Sequence, residues 1–127
     1  MVPFAHYYYA LAAQKTNRLT ESRQMLIQLR ERYPDWKKMD EANYLLADLT
    51  FREKQFGEAL DYLSEITNVS VKKDAEVLKK MYISQLQDIK YLKGLNKQYP
   101  SDKLIAHTLI DLIQKTSNDK ADLELSD

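Results

Sequence analysis

The chain has 127 residues, and its 19 basic and 19 acidic side chains cancel. That length allows one domain at most, and a neutral chain has no global field to draw it onto nucleic acid or an anionic membrane. There is no cysteine, which excludes disulfides, thiolate metal sites and a thiol nucleophile, and no apolar run is long enough to span a bilayer.

Only 2 Gly and 3 Pro occur, with 30% charged residues, a composition that favours helix in nearly every window and implies an all-α fold. Charge alternates mildly along the chain: net +3 over residues 1–40, −4 over 41–70, +4 over 71–116 and −3 over 117–127. Such patches read as solvated helix faces.

Pro3 suits the first turn of a helix running to Lys15, with Thr16-Asn17-Arg18 as the turn that follows. Thr20 is the expected cap of a second helix, whose apolar positions Leu19, Met25, Leu26 and Leu29 recur at three- and four-residue spacing. Tyr33 ends it, because the residue before Pro34 is pushed out of the α region. A third helix opens near Met39. From Asp40 to Ile66 two apolar stripes, Tyr44-Leu45-Ala47-Leu49-Phe51 and Phe56-Ala59-Leu60-Leu63-Ile66, flank the polar tetrad Arg52 to Gln55, predicting helix, turn and antiparallel helix.

Sliding the first hairpin forward by 37 residues puts Tyr7 on Tyr44, Ala10 on Ala47, Leu19 on Phe56, Glu21 on Glu58, Ser22 on Ala59, Leu26 on Leu63 and Leu29 on Ile66. One hairpin cannot bury its own apolar face, whereas stacked hairpins bury a continuous core.

Ser70 is the expected cap of a helix through Ala75, Val77, Leu78, Met81 and Tyr82, and Asp88 of one through Ile89, Leu92, Leu95 and Tyr99. Tyr99-Pro100 echoes Tyr33-Pro34, but the small positions are lost, so residues 71–99 read as a degenerate hairpin or as one bent helix. Ser101 is the expected cap of an apolar helix ending near Lys115; its breadth of apolar surface predicts packing on two sides or cover by a following helix. In the polar tail 117–127, Asn118 is the expected cap of a further helix making its first contacts through Leu123 and Leu125. A chain that begins inside an apparent helix and stops in such a tail reads as a piece of something longer.

These residues resemble the tetratricopeptide repeat family. Its pattern has small residues where Ala10, Ala47, Ser22 and Ala59 stand, bulky ones at Leu19 and Phe56, and a closing proline at Pro34. The second unit has no closing proline, the family's early aromatic is replaced by His6 and Asn43, and the 37-residue offset exceeds the usual period of about 34. The linker Glu31 to Trp36 is similar to longer-linker repeats of bacterial envelope proteins, of the outer-membrane assembly and Tol–Pal coordinator types. The resemblance implies a right-handed superhelical stack over residues 1–116, with units 3–34, 39–67 and 71–100 and a terminal helix 101–116, in a periplasmic or outer-membrane-associated setting.

It also implies a groove lined by the first helix of each hairpin. The matching positions are Phe4, Tyr7, Leu11, Gln14 and Lys15, then Glu41, Tyr44, Asp48, Phe51 and Arg52. Ala10, Leu19, Ser22, Pro34, Ala47, Phe56 and Ala59 pack the repeats. Tyr7, Leu11 and Asp48 stand where family members that grip acidic chaperone tails have a basic and amide clamp, so a segment with aromatic or aliphatic anchors fits better.

Chemistry leaves little trace. His6 and His107 sit in different units, so neither has a second histidine at ligand spacing, and Gly57 and Gly94 are isolated. Glu53, Glu58, Asp61 and Glu65 read as exposed helix-face carboxylates. The lysines Lys72, Lys73, Lys79, Lys80, Lys90, Lys93 and Lys97 could meet phosphates, but acids intervene and arginine is absent from the run. The sequence therefore predicts a protein-binding scaffold with no catalytic residue, metal, cofactor or membrane insertion. Two other readings are a structural arm carrying a ligand-binding or cell-wall-synthesis-activating domain, and nucleic-acid binding through 72–97.

Overall fold

The computed structural model describes residues 2–125, with side chains through residue 119. Those residues form α1 (Pro3–Lys15), α2 (Leu19–Arg32), α3 (Met39–Arg52), α4 (Phe56–Ser64), α5 (Val69–Ile83), α6 (Ile89–Gln98) and α7 (Lys103–Leu125), with no strand among them. The chain divides into two compact units, Met1–Leu78 and Lys79–Asp127.

In the first unit α1 packs on α2 and α3 on α4, and α2 joins the two hairpins through α3. Small residues set the approach: Ala10, Ala13, Ser22, Ala47 and Ala59 are fully buried. The Ser22 hydroxyl donates to the Ala10 carbonyl at 2.7 Å, so the one polar member of this set is satisfied inside the helix crossing. Leu26 and Leu29 of α2 form one cluster with Ala10 and with Ala42, Leu45, Leu46 and Leu49 of α3. A second cluster, Ile66, Val71 and Ala75, packs with Tyr44 and Leu63.

Both hairpin turns are built alike. Asn17 and Lys54, 37 residues apart, adopt left-handed φ values of 62° and 63°. Around Asn17 the Arg18 N–H reaches the Ala13 carbonyl and the Asn17 N–H the Gln14 carbonyl; around Lys54 the Gln55 N–H reaches Thr50 and the Lys54 N–H reaches Phe51. This is the Schellman closure, which satisfies carbonyls left over at a helix end. It also explains why Thr20 is not a cap. The next helix starts at Leu19 with Arg18 at the N-cap, and no side chain caps it.

Two further caps move by one or two residues. α5 opens at Val69 and its cap is Asn68, whose Oδ1 accepts from the Val71 N–H at 3.1 Å, so Ser70 lies inside the helix. α7 opens at Lys103 and its cap is Asp102, whose Oδ1 accepts from Ile105 N–H at 3.1 Å, not Ser101. Asp88 does cap α6, accepting from the Tyr91 N–H at 3.0 Å. Residues 84–88 separate α5 from α6, which rules out one bent helix. Val77 and Met81, expected among the packed positions of α5, are exposed.

In the second unit α6 packs on α7, and Ile83, Leu92, Leu95, Ile105 and Leu109 are buried. Ile110 and Ile113 are exposed, so α7 is neither packed on two sides nor covered over its described length. Asn118 is inside α7 and caps nothing, because the helix runs on to Leu125. The side chains of Leu123 and Leu125 lie outside the described residues.

Candidate interaction surface

α1 buries His6, Ala10 and Ala13 against α2. One hundred degrees per residue then turns Tyr7, Leu11 and Gln14 toward α3. The Gln14 amide donates to Asp48 Oδ2 at 2.6 Å, and Arg52, one turn on, meets the same oxygen at 3.1 Å. This amide, carboxylate and guanidinium chain ties the first helices of the two hairpins side by side. Leu11 and Tyr7 are half-buried against the main cluster. The Tyr7 ring lies 5.6 Å from Trp36 and 5.3 Å from Tyr8, and burial, then Glu41, then Tyr8 push its phenol pKa up.

Of the two α3 aromatics expected on this surface, Phe51 is withdrawn from it, whereas Tyr44 keeps the partial exposure that Tyr7 and Leu11 have. Phe51 is 1% exposed and packs edge-on to Phe56 at 5.8 Å; it is core, because a large ring at that position fills the gap beside the bulky opening residue of α4. Tyr44 is half-buried against Ile66, Val71 and Ala75. Phe4, Lys15 and Arg52 are exposed and Glu41 is half-buried. Among the packing residues, Phe56 is buried, Leu19 half-buried against the cluster, and Pro34 exposed in the turn after α2.

A set of polar contacts that the sequence did not reveal binds the hairpins along their second helices. Arg23 pairs with Glu53 and with Glu58, the latter at 2.8 Å. Arg30 donates to Asn43 Oδ1, pairs with Glu65 at 2.6 Å and lies 5.0 Å over the Tyr62 ring. Glu53, Glu58 and Glu65 are thus bridges between hairpins, not idle surface acids. Burial works against the Arg23 charge, but Glu58 and Glu53 outweigh it and hold the guanidinium pKa above its ordinary value. Arg30 satisfies the side-chain oxygen of Asn43, which is buried. Arg23 to Glu58 and Arg30 to Glu65 are both 35 apart and Arg23 to Glu53 is 30, none of them the 37-residue offset of the repeat, so the periodicity does not announce these bridges.

Asp40, at the start of α3, supplies the closure that a proline gives the first unit. Its Oδ2 accepts from the Asn68 N–H at 2.7 Å and the Thr67 N–H at 3.2 Å, pinning the segment after α4.

The remaining candidates are structural or dispersed. His6 is buried, its Nδ1–H donating to the Val2 carbonyl at 3.1 Å, while His107 is exposed. No group of three or more potential metal ligands converges among the described residues, and no described helix is long and apolar enough to cross a membrane. Lys79 is committed to Asp102 at 2.7 Å; the other six lysines of the 72–97 run are exposed. The second unit carries a shallow open groove of about 230 Å³ bounded by Ser84, Leu86, Gln87, Thr108, Asp111, Leu112 and Lys115.

No protein family, curated protein or solved structure matches this chain.

Proposed function

We propose that the chain is a non-catalytic protein-binding module of tetratricopeptide-like hairpins in a right-handed stack, taking a peptide or protein segment along the line of α1 and α3. The observation that carries this reading is the Gln14–Asp48–Arg52 chain, which holds the two first helices in fixed register beside the half-buried Tyr7 and Leu11. A rigid row of aromatic, aliphatic and charged groups suits recognition, because little order must be imposed on binding. The contact residues are Tyr7, Leu11, Gln14, Tyr44, Asp48 and Arg52. The linker's likeness to envelope repeats supports a periplasmic setting.

A photo-crosslinking amino acid at Leu11, incorporated in the organism that makes the protein, tests this. A discrete protein adduct is expected from position 11 and none from Thr20, on the exposed side of α2. Arg52→Glu should abolish the adduct. Equal labelling from both positions, or none from Leu11, rejects the surface.

A further inference from the structure

Twice among the described residues a tyrosine, a glutamate and an arginine come together. At Tyr9 the Arg18 guanidinium lies 5.8 Å over the ring and pairs with Glu21 at 3.0 Å, and the tyrosine hydroxyl donates to the same carboxylate at 3.1 Å. At Tyr62 the Arg30 guanidinium lies 5.0 Å over the ring and pairs with Glu65 at 2.6 Å, while the hydroxyl donates to Glu58 at 3.3 Å. A guanidinium suits both places, because its flat face stacks on a ring while its edge still donates to a carboxylate.

A third tyrosine and glutamate stand together without an arginine. The Gln14–Asp48 bond fixes α1 beside α3, and two turns nearer the start of each helix the same 34-residue spacing puts Tyr7 opposite Glu41. Trp36, from the linker between α2 and α3, meets the Tyr7 ring at 5.6 Å with the ring planes tilted by 56°. All three side chains are half-buried. Among the described residues no arginine or lysine lies over either ring or pairs with Glu41, and neither the Tyr7 hydroxyl nor the Trp36 indole N–H has a hydrogen-bond partner. Burial, then Glu41, then Tyr8 raise the Tyr7 pKa with no cation opposing them, whereas Arg30 and Arg23 oppose the rise that burial and Glu58 cause at Tyr62. The three groups meet in the seam between two hairpins that are both present, not on an end face.

We infer that Tyr7, Trp36 and Glu41 form the seat for an arginine side chain carried by the segment that lies along α1 and α3, a site that rests on the surface proposed above. The guanidinium stacks on the rings and donates to Glu41, as Arg18 and Arg30 do at their own tyrosines and glutamates. Lysine fits less well, since a compact ammonium meets either a ring face or the carboxylate. The indole N–H is a donor only and takes a backbone carbonyl of the segment. Asp48 is committed to Gln14 and Arg52, and Asp40 to the chain after α4, which leaves Glu41 for a partner's cation.

Trp36 is the sole tryptophan, so its emission reads the site directly. Acetyl-arginine amide is titrated into the full chain at constant ionic strength. A saturable change is expected, with binding about fivefold weaker or more for the citrulline analogue, which keeps the shape and loses the charge. Glu41→Gln should weaken the arginine probe about threefold or more and narrow its lead over citrulline. Glu31→Gln, at an exposed acid of α2, should change neither. Circular dichroism checks that each variant folds. No saturation up to about 100 mM, equal binding of the two probes, or an undiminished response in the Glu41 variant overturns the proposal. A failed arginine probe with the Leu11 adduct intact overturns this site and spares the surface. A probe that titrates through Glu41 with no Leu11 adduct supports the site and rejects the surface.

Discussion

The Ser22 hydroxyl and the Ala10 carbonyl meet at 2.7 Å inside the first hairpin, at positions where the second hairpin has Ala59 and Ala47. A buried hydroxyl at a helix crossing is tolerated because it bonds to a carbonyl of the helix it touches, and alanine is the register-matched alternative. Ser22→Ala should therefore cost only about 1 kcal/mol, the net worth of one neutral hydrogen bond. Ser22→Leu should cost about 3 kcal/mol or more, since the crossing has no room for it. Urea unfolding of the two variants checks the order; a leucine variant as stable as the alanine one refutes the close approach.

Asp102 serves two roles at once, capping α7 through Ile105 N–H and pairing with Lys79. Both partners of that pair are mostly buried, each 15% exposed. Asp102→Ala should lose about 2–4 kcal/mol by removing cap and ion pair together. Asp102→Asn keeps an acceptor for the cap and should lose less, while Ser101→Ala should stay within about 0.5 kcal/mol. Thermal unfolding ranks the three, and a larger effect at Ser101 than at Asp102 contradicts the cap assignment.

Asp40 links the start of α3 to the chain after α4. Asp40→Ala leaves two backbone N–H groups without that acceptor and should destabilise by about 1–2 kcal/mol. The specific signature is amide exchange. Thr67 and Asn68 should lose protection, whereas Ala10 and Leu26 should change only as far as global stability falls.

Tyr7 and Tyr62 both have raised phenol pKa values, from burial first and then from Glu41 and Glu58 respectively. A tyrosine whose folded pKa lies above its unfolded value is neutral in both states at neutral pH. As pH passes about 10, the unfolded chain gives up its proton first. The stabilising difference is thus complete below about pH 10 and lost as pH climbs toward the folded value. Denaturant unfolding at about pH 8 and 10.5 should show a fall in stability that Tyr7→Phe and Tyr62→Phe each reduce. An undiminished fall in the double variant argues that other groups drive it.

What was legible in the sequence follows from what is local. Pro3 and Pro34 bracket α1 and α2, and the small residues at Ala10, Ser22, Ala47 and Ala59 mark the crossings, because backbone restriction and side-chain size act where they stand. Caps were harder to place where two capping residues lie close together. Asn68 and Ser70 compete, as do Ser101 and Asp102, and packing decides: Val71 must point inward, and Asp102 must reach Lys79. Phe51 shows a different limit. Helical spacing gives it both to an apolar stripe and to a partner-facing position, and only the ring of Phe56 resolves which. The Arg23 and Arg30 bridges needed knowledge of which helix faces which, information that periodicity does not contain.

The paired turns at Asn17 and Lys54 carry one more implication. The side chains there have nothing in common, yet the torsion angle and the backbone bonds around it recur 37 residues apart. Asparagine enters the left-handed region readily, whereas for lysine it costs about 1 kcal/mol or more. The first turn is thus shaped by its own residue and the second by the helices on either side of it. Asn17→Gly and Lys54→Gly should therefore differ: the second relieves a strain that the flanking helices impose, and the first has little strain to relieve.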